Sequence, residues 1–284
     1  MASLQDIRRR IRSVKSIQQI TKAMKMIAAS RLHRAQEAAV ANKPYADKMA
    51  QVVHDVAANA GDFKHPLLEV RESGNKLFLI LASDKGLAGS YAGNVFKEAA
   101  KHIPDKTAAE LVTVGRKAKE HFSNRQFTIV KDYMGISERP KYENAKEIAE
   151  DLIERFTKGE CKEIHMVYTR FISALRSETE TVQLLPFSGL GESQEETTGT
   201  EYIFEPSASE VLGYLLPQYL VTTIYGALLQ ASASELSARM TAMSNATDNA
   251  QELIQKLDLH YNKVRQAGIT REITEIVGGA EALK

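Results

Sequence analysis

The sequence of 284 residues has a single cysteine, Cys161, and no run of 18 consecutive apolar residues. One cysteine excludes an intrachain disulfide, which suits a reducing compartment. Because a membrane-spanning helix needs a longer apolar run, we expect no direct transmembrane segment. The basic N-terminus lacks the apolar core and small-residue cleavage site of a signal peptide, so we expect no secretion signal.

Motifs of catalytic and metal sites are also missing. The seven histidines are scattered without metal-ligand spacing, and no His-Glu-x-x-His motif occurs. No serine or cysteine can be assigned a histidine and an acid as catalytic partners from the sequence. We therefore predict no catalytic residue, no metal site and no cofactor in this chain.

Helical patterns fill both ends of the sequence. We predict one helix from about Ser3 to Asn59 and another from about Ser207 to Val277, roughly 85 Å and 105 Å long at a rise of 1.5 Å per residue. Such lengths predict an antiparallel coiled coil, suited to reach or force transmission rather than to a pocket. The N-terminal apolar stripe comprises Ile7, Ile11, Val14, Ile17, Ile20, Met24 and Ile27.

The C-terminal helix carries a clearer heptad pattern. Ser207 and Glu210 resemble a capping box at its start. If Asn59 lies opposite Val211, paired residue numbers add to about 270, and residues from 268 onward project without a partner helix. The predicted core positions are Gly226, Leu229, Ala233, Leu236, Met240, Met243, Thr247, Ala250, Ile254, Leu257, Tyr261 and Val264.

Positive charge is concentrated at the N-terminus. Residues 1–34 hold nine lysines and arginines and one acid, Asp6, a net charge of +8 against −7 for the rest of the chain. A solvated face usually mixes both signs, so this imbalance favours an acidic partner. Nucleic acid is disfavoured because no aromatic residue precedes Tyr45 and no DNA-reading motif is present.

The middle of the chain alternates short apolar runs with helical stretches. The runs at 77–82, 111–114, 127–130, 164–168 and 179–185 predict strands, and 93–101, 116–123 and 143–157 predict helices. This alternation indicates an α/β middle domain with a parallel or mixed sheet. The glycine-rich segment 83–91 follows the first strand; it matches no phosphate-binding fingerprint, which favours a structural turn or docking surface over phosphate binding.

Three blocks of the sequence resemble the γ subunit of F-type ATP synthases. They are residues 20–30 (ITKAMKMIAAS), residues 83–89 (SDKGLAG), and the C-terminal pattern at Ile269, Thr270, Glu272, Glu275, Gly279, Ala280 and Ala282. The resemblance covers essentially the whole chain, in domain order as well as length. It divides the chain into a coiled-coil helix at 1–59, an α/β (Rossmann-like) foot domain at 60–206 and a second coiled-coil helix at 207–284.

The resemblance implies a non-catalytic rotor subunit of the central stalk. Its implied partners are the α and β subunits of the catalytic hexamer, the ε subunit and the membrane c-ring, with proton flow driving ATP synthesis. The implied location is peripheral, on the cytoplasmic face of a bacterial cell membrane. Two alternatives stay open from the residues alone: a nucleotide-using α/β enzyme, and a coiled-coil arm that binds nucleic acid.

The resemblance also assigns roles to particular residues. It places Met24, Lys25, Arg265 and Gln266 against the β subunits, and it gives Thr270, Glu272 and Glu275 a part in the same coupling. Ile273, Ile276 and Val277 are expected in an apolar bearing around the C-terminal tip. Helix surface or helix packing is the alternative role for each of these residues.

Overall fold

The computed structural model describes residues 4–59, 63–103, 106, 109–188, 205 and 207–282. The chain divides into two compact units. Unit 1 comprises Met1–Ala28 together with Met240–Lys284, and unit 2 comprises Ala29–Arg239. The boundaries therefore fall within the two terminal helices rather than at their ends.

The two long helices predicted from the sequence are present. Helix α1 runs over Leu4–Asn59 and continues through Pro44, and helix α5 runs over Ala208–Ala282 and continues through Pro217. The predicted start at Ser3 lies outside the described residues. The Ser207 hydroxyl accepts a hydrogen bond from the Glu210 amide at 3.2 Å, which confirms the predicted cap of α5.

Unit 2 contains a five-stranded mixed sheet in the order β3-β2-β1-β4-β5, in which only β4 and β5 pair antiparallel. All five predicted strands are present, several of them longer than expected. The strands are β1 (Asn75–Leu81), β2 (Ala109–Val114), β3 (Thr128–Tyr133), β4 (Cys161–Ser173) and β5 (Arg176–Leu185). The shorter helices are α2 (Tyr91–His102), α3 (Arg116–Ser123) and α4 (Tyr142–Thr157), and Pro66–Leu68 forms a 3₁₀ turn.

Strand β1 lies at the centre of the sheet and is buried on both faces. Because side chains alternate along a strand, Leu77, Leu79 and Leu81 join one core cluster while Phe78 and Ile80 join the other. The first cluster is completed by residues of α4, α1 and α5, and the second by residues of α2 and α3. The near-continuous apolar run of β1 therefore follows from helices covering both faces of the sheet.

One 18-residue window between Ala208 and Ala280 is apolar enough to cross a membrane by length and composition, with a mean hydropathy of 1.2 and 44% of it buried. This is weak evidence for a membrane span, because the helix of a protein core meets the same criterion. Leu212, Leu216 and Leu220 of α5 belong to the core of unit 2. The expectation of no transmembrane segment stays a prediction.

In unit 1, α1 and α5 pack as an antiparallel pair. Four hydrogen bonds set the register: Arg8 to Tyr261, Gln18 to Gln251, Thr247 to Thr21 and Lys25 to Ser244. The paired residue numbers add to 269 in three cases and to 268 in the other, against the predicted 270. None of the twelve predicted core positions of α5 is fully exposed.

The predicted stripe of α1 is partly wrong. Ile7 and Ile11 are buried, but Ile17, Ile20 and Ile27 are about half exposed, at 50%, 56% and 54%. Polar residues lie along the seam in their place, because Gln18 and Thr21 form hydrogen bonds across it to α5. The apolar stripe therefore indicated a face of α1 next to the one that packs against α5.

Candidate functional site

The exposed face of α1 in unit 1 is both basic and apolar. Its exposed cations, here called the basic collar, are Arg8, Arg9, Arg10, Arg12, Lys15, Lys22 and Lys25. Arg9 pairs with Asp6 at 2.9 Å, and the Arg8 guanidinium lies 5.5 Å from the centre of the Tyr261 ring. Ile17, Ile20 and Ile27 add exposed apolar area on the same helix, a combination typical of protein-binding surfaces.

The two residues of α1 singled out from the sequence lie within this surface. Met24 is half-buried and Lys25 is exposed. Lys25 Nζ donates to Ser244 Oγ at 3.0 Å, so its ammonium group contacts α5. Among the described residues no carboxylate pairs with Lys25, so its charge is available to an acidic group of a partner.

The C-terminal segment, residues 265–280, is the other surface singled out from the sequence. Arg265, Gln266, Thr270, Glu272 and Glu275 are all exposed. Glu275 lies 3.9 Å from Arg271 one helical turn earlier, a pair that contributes little to stability in water. The apolar residues Ile269, Ile273, Ile276 and Val277 are 49%, 56%, 71% and 60% exposed.

The register of unit 1 separates these two groups of residues. With paired numbers adding to 269, Arg265 lies opposite the start of α1, whereas Met24 lies opposite Asn245. The twenty residues between correspond to about 30 Å along a helix. Met24 and Arg265 therefore do not line one pocket. Arg8, at the other end of the basic collar, bonds Tyr261 only four residues before Arg265.

In unit 2, the segment after β1 is held by a carboxylate. The Asp84 carboxylate accepts hydrogen bonds from the amides of Gly135 at 2.9 Å, Ser137 at 3.1 Å and Arg116 at 3.2 Å. Its own amide donates to Ser137 Oγ at 3.0 Å. Burial disfavours the ionised carboxylate, but these hydrogen bonds outweigh it and lower the pKa of Asp84.

Glu138, in the segment between β3 and α4, contacts three cations from different parts of unit 2. Its carboxylate pairs with Arg31 of α1, with Lys85 at 3.0 Å and with Arg239 of α5 at 3.3 Å. Its backbone carbonyl accepts from Ser232 Oγ of α5 at 3.1 Å. Glu138 thus joins both long helices to the segment that follows β1.

Arg239 and Glu235 form the buried part of this group. They are 6% and 1% exposed and pair at 2.6 Å. Arg239 also donates to the carbonyl oxygens of Lys85 and Gly86, at 3.4 Å and 3.3 Å. Burial raises the pKa of Glu235, although the Arg239 cation opposes the shift. Arg31, Lys85, Glu138, Glu235 and Arg239 are called the ion cluster below.

Sequence reasoning missed the ion cluster. One signal was present: Glu235 and Arg239, four residues apart, follow an uncharged stretch from 211 to 234. An acid and a base spaced by one turn, directly after a long uncharged stretch of the same helix, indicate a buried ion pair. Glu138 and Arg31 gave no comparable signal, because their contact joins residues 107 positions apart.

The described segment after β1 does not present free amides or a free lysine to a phosphate. The amides that converge on the segment after β1 are bound by the Asp84 carboxylate, and Lys85 is paired with Glu138. Among the residues that the structure describes, no group of three or more histidine, cysteine, aspartate and glutamate side chains could hold a metal ion. The geometry instead fixes helices to a sheet and presents two exposed surfaces.

Comparisons with known proteins find similar chains. A family model described as ATP synthase matches residues 3–283. The ATP synthase gamma chain of Desulforamulus reducens is 47% identical, with all of both chains covered. The ATP synthase gamma chain of Acetobacterium woodii, described as sodium ion specific, is 41% identical, with 99% of each chain covered.

A solved structure of the Euglena gracilis mitochondrial ATP synthase (OSCP/F1/c-ring, rotational state 3) contains a chain of similar fold. The TM-score is 0.72 at 18% identity, and the match covers 99% of this chain and 94% of the other. At that identity the likeness concerns the fold alone.

Proposed function

The chain belongs to the ATP synthase gamma chain family, and we propose that it is the rotor of the central stalk, turning within a hexamer of α and β subunits. In this family the chain is a non-catalytic subunit of the complex. The observation that carries the proposal is the 47% identity over the full length of a gamma chain. The exposed surfaces of unit 1 support the proposal, because a rotor needs residues that are free to contact the surrounding subunits.

The basic collar is proposed to face acidic groups of the β subunits. Its charge is exposed, so long-range attraction to an acidic partner acts on it directly. Met24 and Lys25 are the proposed contact residues, with the exposed Ile17, Ile20 and Ile27 adding apolar area beside them. Contacts of different free energy with each β subunit would shift each one toward a different conformation, which is the requirement for alternating affinity.

The C-terminal segment is proposed to serve two contacts. Arg265 and Gln266, together with Thr270, Glu272 and Glu275, would form hydrogen bonds to β subunits. Ile273, Ile276 and Val277 would lie in an apolar bearing formed by the hexamer. Their exposure supports this, because a contiguous apolar helix face in water indicates a missing partner.

The α/β domain, proposed at residues 60–206 with coiled-coil helices at 1–59 and 207–284, would dock the ε subunit and the membrane ring. We propose that the complex lies on the cytoplasmic face of a bacterial cell membrane and is coupled to protons. A sodium-specific relative makes the ion an experimental question. ATP-driven transport in vesicles, measured with and without sodium, decides it: proton pumping without sodium supports proton coupling, and a strict sodium requirement overturns it.

Co-assembly tests the proposed function. Purified alone, the chain should hydrolyse no ATP, and with α and β subunits of the same source it should form a complex of fixed stoichiometry that hydrolyses ATP. Hydrolysis by the chain alone, or separate elution of the chain from an intact α–β hexamer, would overturn it. The enzyme alternative predicts saturable nucleotide binding by the isolated chain, and the nucleic-acid alternative predicts salt-sensitive DNA binding that needs Arg8–Arg12.

A further inference from the structure

The ion cluster has no assigned role, and its position in the chain is unusual. Arg239 is the last residue of unit 2 on α5, and Arg31 is the third residue of unit 2 on α1. Both arginines contact Glu138, whose side chain is 15% exposed. Each long helix is therefore bound to the same acidic side chain within three residues of the unit boundary along its own sequence.

The contacts of Glu138 connect α1, α5 and the segment after β1, which are not paired through their backbones. It lies in the segment after β3, and that segment is bound to the one after β1 through Asp84 and Ser137. Arg239 adds hydrogen bonds to the carbonyl oxygens of Lys85 and Gly86. The carboxyl edge of the sheet is thus connected to α1 and α5 through directional, charged contacts.

Apolar packing can hold a helix against a sheet, but it is not directional. Hydrogen bonds of fixed geometry therefore oppose sliding and twisting of the helix more specifically. Because three cations from different elements contact the Glu138 carboxylate, both the distance and the angle between the helices and the sheet are fixed. The nearly complete burial of Arg239 and Glu235 removes competing water and strengthens these contacts. An assembly that turns its helices against a load needs such a connection.

We infer that Glu138 is a positioning residue for rotary coupling, which fixes α1 and α5 to the α/β sheet so that torque passes between them. The inference rests on the proposed function. Glu138 would act through Arg31, Lys85 and Arg239, the three cations that its carboxylate contacts. Without it, we expect the helices to yield under load while the complex still assembles.

The experiment uses the complete membrane complex in vesicles, carrying wild-type chain, Glu138→Ala, Glu138→Gln or Glu138→Asp. The control is Glu163→Gln, which removes an acidic partner of Lys76 (2.8 Å) within the sheet and leaves the ion cluster intact. ATP hydrolysis and ATP-driven ion transport are measured together. We expect the ions moved per ATP to fall about fivefold in Glu138→Ala, a factor typical of coupling between distant sites.

In Glu138→Gln the ions moved per ATP should fall nearly as far, and in Glu138→Asp they should fall less. In Glu163→Gln the ratio should match that of wild type. An unchanged ratio in Glu138→Gln, or an equal fall in Glu163→Gln, would overturn the inference. If a variant does not assemble, hydrogen exchange of the isolated full chain decides. Faster exchange at residues 83–89 and 135–139 supports the inference, and unchanged exchange overturns it. Failure of the wild-type chain to assemble would instead overturn the proposed function.

Discussion

A Cβ atom on Gly115 would lie 2.4 Å from the carbonyl oxygen of Ala82. Gly115 has a φ of +93°, a conformation that side chains rarely adopt, and its amide donates to the Tyr133 carbonyl at 2.8 Å. The carboxyl ends of β1, β2 and β3 therefore meet at this glycine. The close approach of the three strand ends brings the segments that carry Asp84 and Glu138 together.

Gly115→Ala should destabilise unit 2 by about 2–4 kcal/mol, because the methyl group meets backbone atoms and the φ angle is strained. Gly93→Ala is the matched control, since Gly93 is exposed within α2 with no atom near the added methyl. That control should be neutral or stabilising by about 0.5–1 kcal/mol. Urea unfolding followed by circular dichroism measures both, and equal stabilities of the two variants would contradict the packing described.

Asp84→Asn should destabilise the chain by about 1–3 kcal/mol at pH 7, because the amide cannot replace the charged acceptor. The hydrogen bonds lower the pKa of Asp84, so the stability it contributes is present above the unfolded pKa of 3.8 and is lost as pH falls through the folded pKa. The difference between wild type and variant should therefore shrink below pH about 4.

Unfolding free energies measured from pH 7 to pH 3 test this dependence. Asp258→Asn, at an exposed position of α5, controls for the loss of one charge. A wild-type advantage that stays constant across this range would show that the Asp84 carboxylate contributes no ionisation-linked stability.

Ile11→Ala and Ile20→Ala distinguish the packed face of α1 from its exposed face. Ile11 is 8% exposed, so its truncation should destabilise the helix pair of unit 1 by about 2–4 kcal/mol. Ile20 is 56% exposed, and its truncation should cost less than about 0.5 kcal/mol. Amide exchange along α1 measures both effects, and a larger effect at Ile20 would reverse the assignment of the seam.

The sequence predicted what depends on local pattern. The apolar run at 77–82 and the similar runs after it predicted the strands. These strands are apolar because helices cover both faces of the sheet. Ser207 predicted the start of α5. The heptads from Gly226 predicted positions of α5 that are all buried or half-buried, but not the buried polar residues between them. The antiparallel register followed from placing Asn59 opposite Val211, and it was correct to within two residues.

Local patterns could not predict contacts between residues that are far apart in the sequence. Ile17 and Ile20 were assigned to the seam because apolar residues are usually buried, but hydrogen bonds of Gln18 and Thr21 define the seam instead. The ion cluster depends on Glu138 meeting Arg31 and Arg239, and no local pattern predicts a contact over 101 or more residues. The roles of Arg265 and Gln266 depend on partners that the chain itself does not contain.

Arg265→Glu should reduce ATP synthesis in the complete complex while the fold stays intact, because it places a carboxylate where a cation is proposed to meet a β subunit. Lys263→Glu is the control, an exposed charge reversal two residues earlier on the same helix. Proton-driven synthesis in vesicles measures both. Normal synthesis in Arg265→Glu, or equal losses in both variants, would contradict the assignment of Arg265.

The most direct test of the rotor assignment is to watch the chain turn. Leu175 is 94% exposed, whereas Cys161 is 2% exposed and burial raises the pKa of its thiol to about 11, so Leu175→Cys can be labelled selectively with a bead. The labelled chain is assembled with immobilised α and β subunits and supplied with ATP. The account predicts continuous stepping in one direction, and ATP hydrolysis by the assembled complex with a stationary bead would contradict it.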